Sequence, residues 1–158
     1  MIGRAEVARQ RHQLDATFQR AKGIGADAEL LSDFARYLCI LVSGFLEQAV
    51  IELAMEHVRR CSSPSIQRHV ESRLRRFTTA NTSRIIDLLA SFEPDWRLDL
   101  EHFLVDDRKD AVDSIVDLRQ ALAHGRYAAI TYTRVKDYYD RVKSVVEHLT
   151  ELCAPEKP

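Results

Sequence analysis

An arginine and a histidine between them can break a phosphodiester bond without a metal, and Arg119-Gln-Ala-Leu-Ala-His124-Gly125 sets one of each just ahead of a helix-stopping glycine. Histidine, with an unperturbed pKa near ~6.5, can take a proton from a ribose 2′-hydroxyl or give one to a 5′-oxygen leaving group. Arginine stays charged and offers a planar fork to phosphate oxygens, where it stabilises charge gathering at phosphorus. The spacing by itself is common. With eighteen Arg and six His in 158 residues, roughly one Arg-x4-His match arises by chance, and Arg97-Leu-Asp-Leu-Glu-His102 is a second copy. Five positions along a helix turn through about 140°, so Arg119 and His124 do not share a face of an ideal helix. They converge only if the helix unwinds at Gly125, if the long arginine reaches round, or if a second subunit brings the same pair across a two-fold axis. The residue types alone favour a plainer reading, with Arg119 an ion-pair partner of Asp117 or a neighbouring acid and His124 a helix-terminal cation on free carbonyls.

Positioning such a pair falls to helices. Five glycines and four prolines make few breakers, and the apolar spacing is helical nearly throughout, with no run of strict alternation. The expected fold is therefore all-α. A first helix runs from about Arg4 to Lys22 and stops at Gly23-Ile-Gly25. A long second helix, about Asp27 to Arg60, carries Leu31, Phe34, Leu38, Leu41/Val42, Phe45, Ala49 and Leu53 in the i, i+3/i+4 rhythm of a bundle spine. Its greasiest run, Tyr37 to Met55, holds Glu47, Gln48 and Glu52 and reads as a buried core helix, not a membrane span. Ser63 as N-cap and Pro64 in the first turn open an Arg-rich third helix to about Phe77. Thr78 to Thr82 is a polar break, Ser83 to Phe92 a short fourth helix, and Pro94-Asp-Trp leads into a loop or short turn of helix. Residues from about Asp106 to His124 repeat apolar positions at Ala111, Ile115, Leu118 and Leu122. Gly125 ends that helix, and Thr131 or Thr133 caps a last one through about Leu152.

At 18.1 kDa, with 46% apolar and 30% charged residues, the chain suits one globular domain over residues 1–158. A net charge of −1 advertises no polyanion partner, but the charge is unevenly placed. Residues 59 to 84 hold seven arginines against Glu71 alone, and residues 87 to 117 hold ten acids against Arg97, Arg108 and Lys109. Cys39, Cys61 and Cys153 are odd in number and far apart, which indicates neither a disulfide framework nor a zinc site and fits a reducing cytoplasm. The charged start after Met1-Ile-Gly-Arg lacks the apolar core of a signal peptide. His12, His57, His69, His102 and His148 show no mutual spacing that suggests a metal site or triad, and no cofactor is implied.

Leu118-Arg-Gln-Ala-Leu-Ala-His-Gly125 resembles the "LRNxxAHG" signature of the HEPN superfamily, in particular the RiboL-PSP-type domains. The specific match is confined to these eight residues, with a looser likeness from Leu41-Val-Ser-Gly-Phe-Leu-Glu-Gln-Ala to the last helix. The resemblance implies an antiparallel bundle of about five to six helices, paired as a homodimer with two Arg119/His124 pairs facing one composite cleft. It implies a metal-independent endoribonuclease that leaves a 2′,3′-cyclic phosphate and a 5′-hydroxyl and spares DNA, which lacks the attacking 2′-hydroxyl. A toxin of a prokaryotic toxin–antitoxin or phage-defence system, with an antitoxin protein as partner, is the setting it suggests. Gln120 stands where many members have Asn or Asp; lying i, i+4 from His124, it is placed to orient the imidazole. Glu47 is the acid that would steady the motif arginine, the plainer reading being a solvent-facing glutamate beside Gln48. Tyr127 is compared with toxins whose motif ends in His-x-Tyr and whose tyrosine an antitoxin nucleotidyltransferase modifies, although the spacing here is His-x-x-Tyr. Beside such a motif, Arg68, Arg75, Arg76 and Arg126 become candidates for a single-stranded RNA groove read through phosphates, where alone they would be a solvated face. Two rivals remain: a non-catalytic HEPN module binding RNA, a nucleotide or a partner protein, and a plain dimerisation protein in which Asp106 to Asp117 meets the Arg-rich helix of another chain.

Overall fold

The computed structural model describes residues 2–25 and 27–156. Along them run seven α-helices and one 3-10 turn, with no strand among the described residues. The helices are α1 (Ile2–Ala21), α2 (Ala28–Cys61), α3 (Pro64–Leu74), α4 (Thr82–Phe92), α5 (Trp96–Phe103), α6 (Asp106–Ala123) and α7 (Tyr132–Cys153). The all-α expectation holds, with more helices than the five to six expected. The addition is α5, where a loop or single turn was expected. Its Leu100 is fully buried, Trp96 meets the His57 ring of α2 edge-on at 4.8 Å, and Arg97 ties back to Asp87 of α4. These tertiary contacts sustain eight residues that would be a marginal helix alone. Conversely, α3 stops at Leu74, short of Phe77. The amides of Arg76 and Phe77 close tight turns on the carbonyls of Arg73 and Leu74, and the chain bends so that Phe77 and Ala80 enter the core.

Side-chain caps fix three helix starts by accepting otherwise unpaired amides. Asp27 takes the Leu30 N–H, Asn81 the Arg84 N–H, and Thr131, not Thr133, the Arg134 N–H. Ser63 occupies the cap position of α3 but its hydroxyl meets that of Ser65 instead of a backbone amide.

The long α2 is the spine, with α1, α6 and α7 packed around it and Leu38, Leu46 and Leu53 wholly buried along its length. One contiguous core draws on every helix. Helix α1 runs antiparallel to both α2 and α7. At one end the Gly3 amide donates to Glu56 Oε2 at 2.9 Å, and Arg4 binds Glu151 and the Ala154 carbonyl. At the other, Tyr139 stacks flat on Phe18 at 4.5 Å and donates its hydroxyl to Asp15 at 2.5 Å. Burial, with Asp15 beside it, pushes the Tyr139 phenol far above its ordinary value. Gly3 is required by close approach: a Cβ there would sit 2.6 Å from the Glu52 carbonyl oxygen.

Candidate active site

The end of α6 is built by its backbone. Gly125 adopts φ 70°, its N–H donates to the Leu122 carbonyl at 3.1 Å, and the Arg126 N–H reaches back to the Ala121 carbonyl at 2.9 Å. This crossed pair is a Schellman motif, and it makes His124 the C-cap residue. The last carbonyls of α6 are thus served by main-chain amides, including the His124 N–H on Gln120. His124 is exposed, and its ring makes no hydrogen bond or ion pair to another described residue. Carbonyl satisfaction is therefore not what this imidazole is for.

Arg119 lies one and a half turns earlier and half-buried. It closes one side of an open groove of about 510 Å³ between α1 and α2, whose walls include Gln10, Gln13, Tyr37, Ile40 and Gln48. Among the described residues it has no ion pair and no side-chain hydrogen bond, so the expected pairing with Asp117 or a neighbouring acid does not form. The rival motif contrasts with it. Arg97 is held by Asp87 at 3.2 Å and by Glu101 at 3.7 Å, and its fork is spent on α4 and α5. Two other imidazoles are likewise occupied: His57 by Glu93 and the Trp96 ring, and His148 by Asp99 at 2.5 Å with Phe103 stacked at 3.8 Å.

The two supporting residues differ from expectation. Glu47 does not pair with Arg119; its carboxylate accepts the backbone N–H of Thr79 at 3.2 Å. Gln120 does not orient His124; its amide donates to the Thr79 hydroxyl at 3.1 Å. In both cases the α3–α4 loop supplies a nearer partner than the residue the sequence suggested. Thr79, which sequence reasoning passed over as part of a polar break, is thus where α2 and α6 meet that loop. It holds φ 58°, a left-handed backbone that a β-branched residue rarely adopts. Three residues further along, the Thr82 N–H donates to Asp113 of α6 at 2.8 Å, and Lys109 bonds the same carboxylate at 2.6 Å. Burial raises the Asp113 carboxyl, but the Lys109 ammonium and the Thr82 amide outweigh it and hold the group below its ordinary range.

The proposed RNA-contacting arginines are all exposed. Arg75, the C-cap of α3, has Glu71 at 3.8 Å, while Arg68, Arg76 and Arg126 have no acid within ion-pair distance among the described residues. Gln48 lines both the Arg119 groove and a smaller cleft that holds Arg75, so one surface track connects them. Tyr127 is 79% exposed, with the Arg36 guanidinium 5.3 Å above its ring. Among the described residues no three His, Cys, Asp or Glu side chains cluster at metal-binding distance.

No curated protein and no solved structure matches the chain. One protein family does, described as RiboL-PSP-HEPN, and the match covers residues 6–154 and so includes the spine, the Thr79 loop and the whole Arg119–Gly125 turn. HEPN domains are helical and point to a nuclease or RNA-related module, in keeping with seven helices around an unspent arginine. By this match the chain belongs to the RiboL-PSP-HEPN family.

Proposed function

We propose that this domain is a metal-independent endoribonuclease that cuts RNA by 2′-hydroxyl attack, with Arg119 and His124 as its catalytic residues. The observation that carries the reading is the half-buried Arg119 guanidinium, left without an acid on a groove wall while the competing Arg97 is bound by two carboxylates. A half-buried guanidinium that faces an open groove with no acid beside it keeps its planar fork free, and a phosphate is the group that fork fits. In the proposed step His124 accepts the 2′-hydroxyl proton, the 2′-oxygen bonds to phosphorus, and the 5′-oxygen leaves with a proton from a second imidazole. Arg119 holds the phosphate oxygens and offsets their growing charge. Since the two side chains lie about 140° apart on α6, the second imidazole is assigned to another copy of the chain, making the active form a homodimer. Tyr37 and Ile40, 50% and 44% exposed beside Arg119, offer apolar surface for such contact. Action as a toxin of a prokaryotic toxin–antitoxin or phage-defence system, countered by an antitoxin protein, rests on the family resemblance.

The test is cleavage of single-stranded RNA in excess EDTA by the purified protein, with DNA of the same sequence uncut and cyclic phosphate ends on the products. Abolition of activity by chelation would sink the mechanism. One observation favours a second reading: Gln120 is engaged by Thr79 and leaves His124 unoriented within one chain. A non-catalytic RNA-binding module would bind the same RNA through its arginines and release it intact.

A further inference from the structure

We propose that Thr79 is a positioning residue of the Arg119 site, a clamp that holds the arginine-bearing α3–α4 loop in register with α6; this rests on the ribonuclease reading above. Three observations converge on it. Its backbone is left-handed at φ 58°, a conformation that persists in a β-branched residue only where the surroundings enforce it. What enforces it comes from two different helices: Glu47 of α2 accepts its N–H at 3.2 Å, and Gln120 of α6 donates to its hydroxyl at 3.1 Å. Gln120 is the immediate neighbour of Arg119, and Thr79 lies three residues beyond Arg76. The clamp therefore sits between the guanidinium assigned to the scissile phosphate and the cations assigned to the flanking ones.

Its anchorage on α6 is double. Asp113 and Gln120 are seven residues apart and so share a helix face; Asp113 accepts the Thr82 N–H and Gln120 donates to the Thr79 hydroxyl, gripping the loop at Thr79 and where it enters α4. Losing only the Gln120 bond would leave the loop attached through Asp113 and Glu47 while freeing the end of α6 to shift against it. A displacement of that kind reduces turnover more than binding, because phosphate contacts by long arginines tolerate shifts that catalytic geometry does not.

The experiment compares wild type with Thr79→Val, which keeps shape and backbone strain but removes the hydroxyl, and with Thr79→Ser, which restores it. Single-turnover RNA cleavage, RNA affinity and thermal melting are measured for each. Thr79→Val is expected to lower kcat roughly tenfold or more with KM little changed, and Thr79→Ser to recover it. Gln120→Leu removes the other half of the same bond and covers the case in which Thr79→Val does not fold. The double variant should be no worse than the poorer single one, the signature of a shared interaction. If Thr79→Val lowered only the melting temperature and turned over RNA at the wild-type rate, the residue would be a structural strut and the proposal overturned. Wild-type chains that cleave no RNA would instead overturn the ribonuclease reading itself.

Discussion

At the scale of single residues, the bundle sorts its titratable groups by whether they are spoken for. His57 and His148 each rest against an acid and an aromatic ring, whereas His124 stands in solvent at a helix end whose carbonyls are already served. Replacing His124 by Ala should therefore leave the melting temperature unchanged and lower the RNA cleavage rate by at least ~10²-fold, the low end of general acid–base catalysis. His102→Ala should alter neither; a larger loss there, measured in the same assay, would move the site to α5. The cysteines divide in the same way. Burial pushes the thiols of Cys39 and Cys153 up to about 12, while Cys61 is exposed. A maleimide at neutral pH should thus add once to the native protein, at Cys61, and to all three cysteines after denaturation, as counted by intact mass.

At the scale of elements, Gly125 and Asp113 each make a prediction about α6. An alanine at φ 70° is strained, so Gly125→Ala should cost about 1 kcal/mol in denaturant unfolding and, by unseating the C-cap, slow cleavage more than its effect on stability explains. The Asp113 carboxyl is held below its ordinary range in the fold. Its stabilisation is then fully present above the unfolded carboxylate pKa of about 3.9 and fades as pH falls below that toward the lower folded value. The melting gap between wild type and Asp113→Asn should be widest near neutrality and close in that acid window. Much of this helix was legible in advance: its apolar period and terminal glycine lie within one local stretch of sequence, and the structure ends it where the sequence does. The Thr79 clamp was not, because its partners lie 32 and 41 residues away and nothing in a Thr-Thr pair announces a left-handed backbone. For the same reason Glu47 and Gln120 were recognised as notable but given the wrong neighbours. Helix α5 escaped because eight residues behind a proline hold too few turns to show a period, and it forms on contacts with α2, α4 and α7.

At the scale of the whole molecule, the proposed mechanism, with Arg119 and His124 about 140° apart along an ideal helix, predicts that cleavage depends on assembly. Wild-type chains mixed with excess His124→Ala chains, after subunit exchange is confirmed, should lose RNA cleavage faster than their dilution accounts for. Activity strictly proportional to wild-type chains would show that each subunit works alone. The packing of α1 has a different consequence. Arg4 donates to the carbonyl of Ala154 at 3.0 Å, so the first and last helices are fastened side by side where the chain enters and leaves the bundle. A few glycines would span that gap, and the polypeptide could then be cut open at the Ser62-Ser63 junction between α2 and α3 without severing the α6–α7 turn. Such a circularly permuted chain should refold with the same helical circular dichroism. The order in which these helices are strung would then prove separable from the shape they make, and α1 would become an internal segment sewn between α7 and the spine.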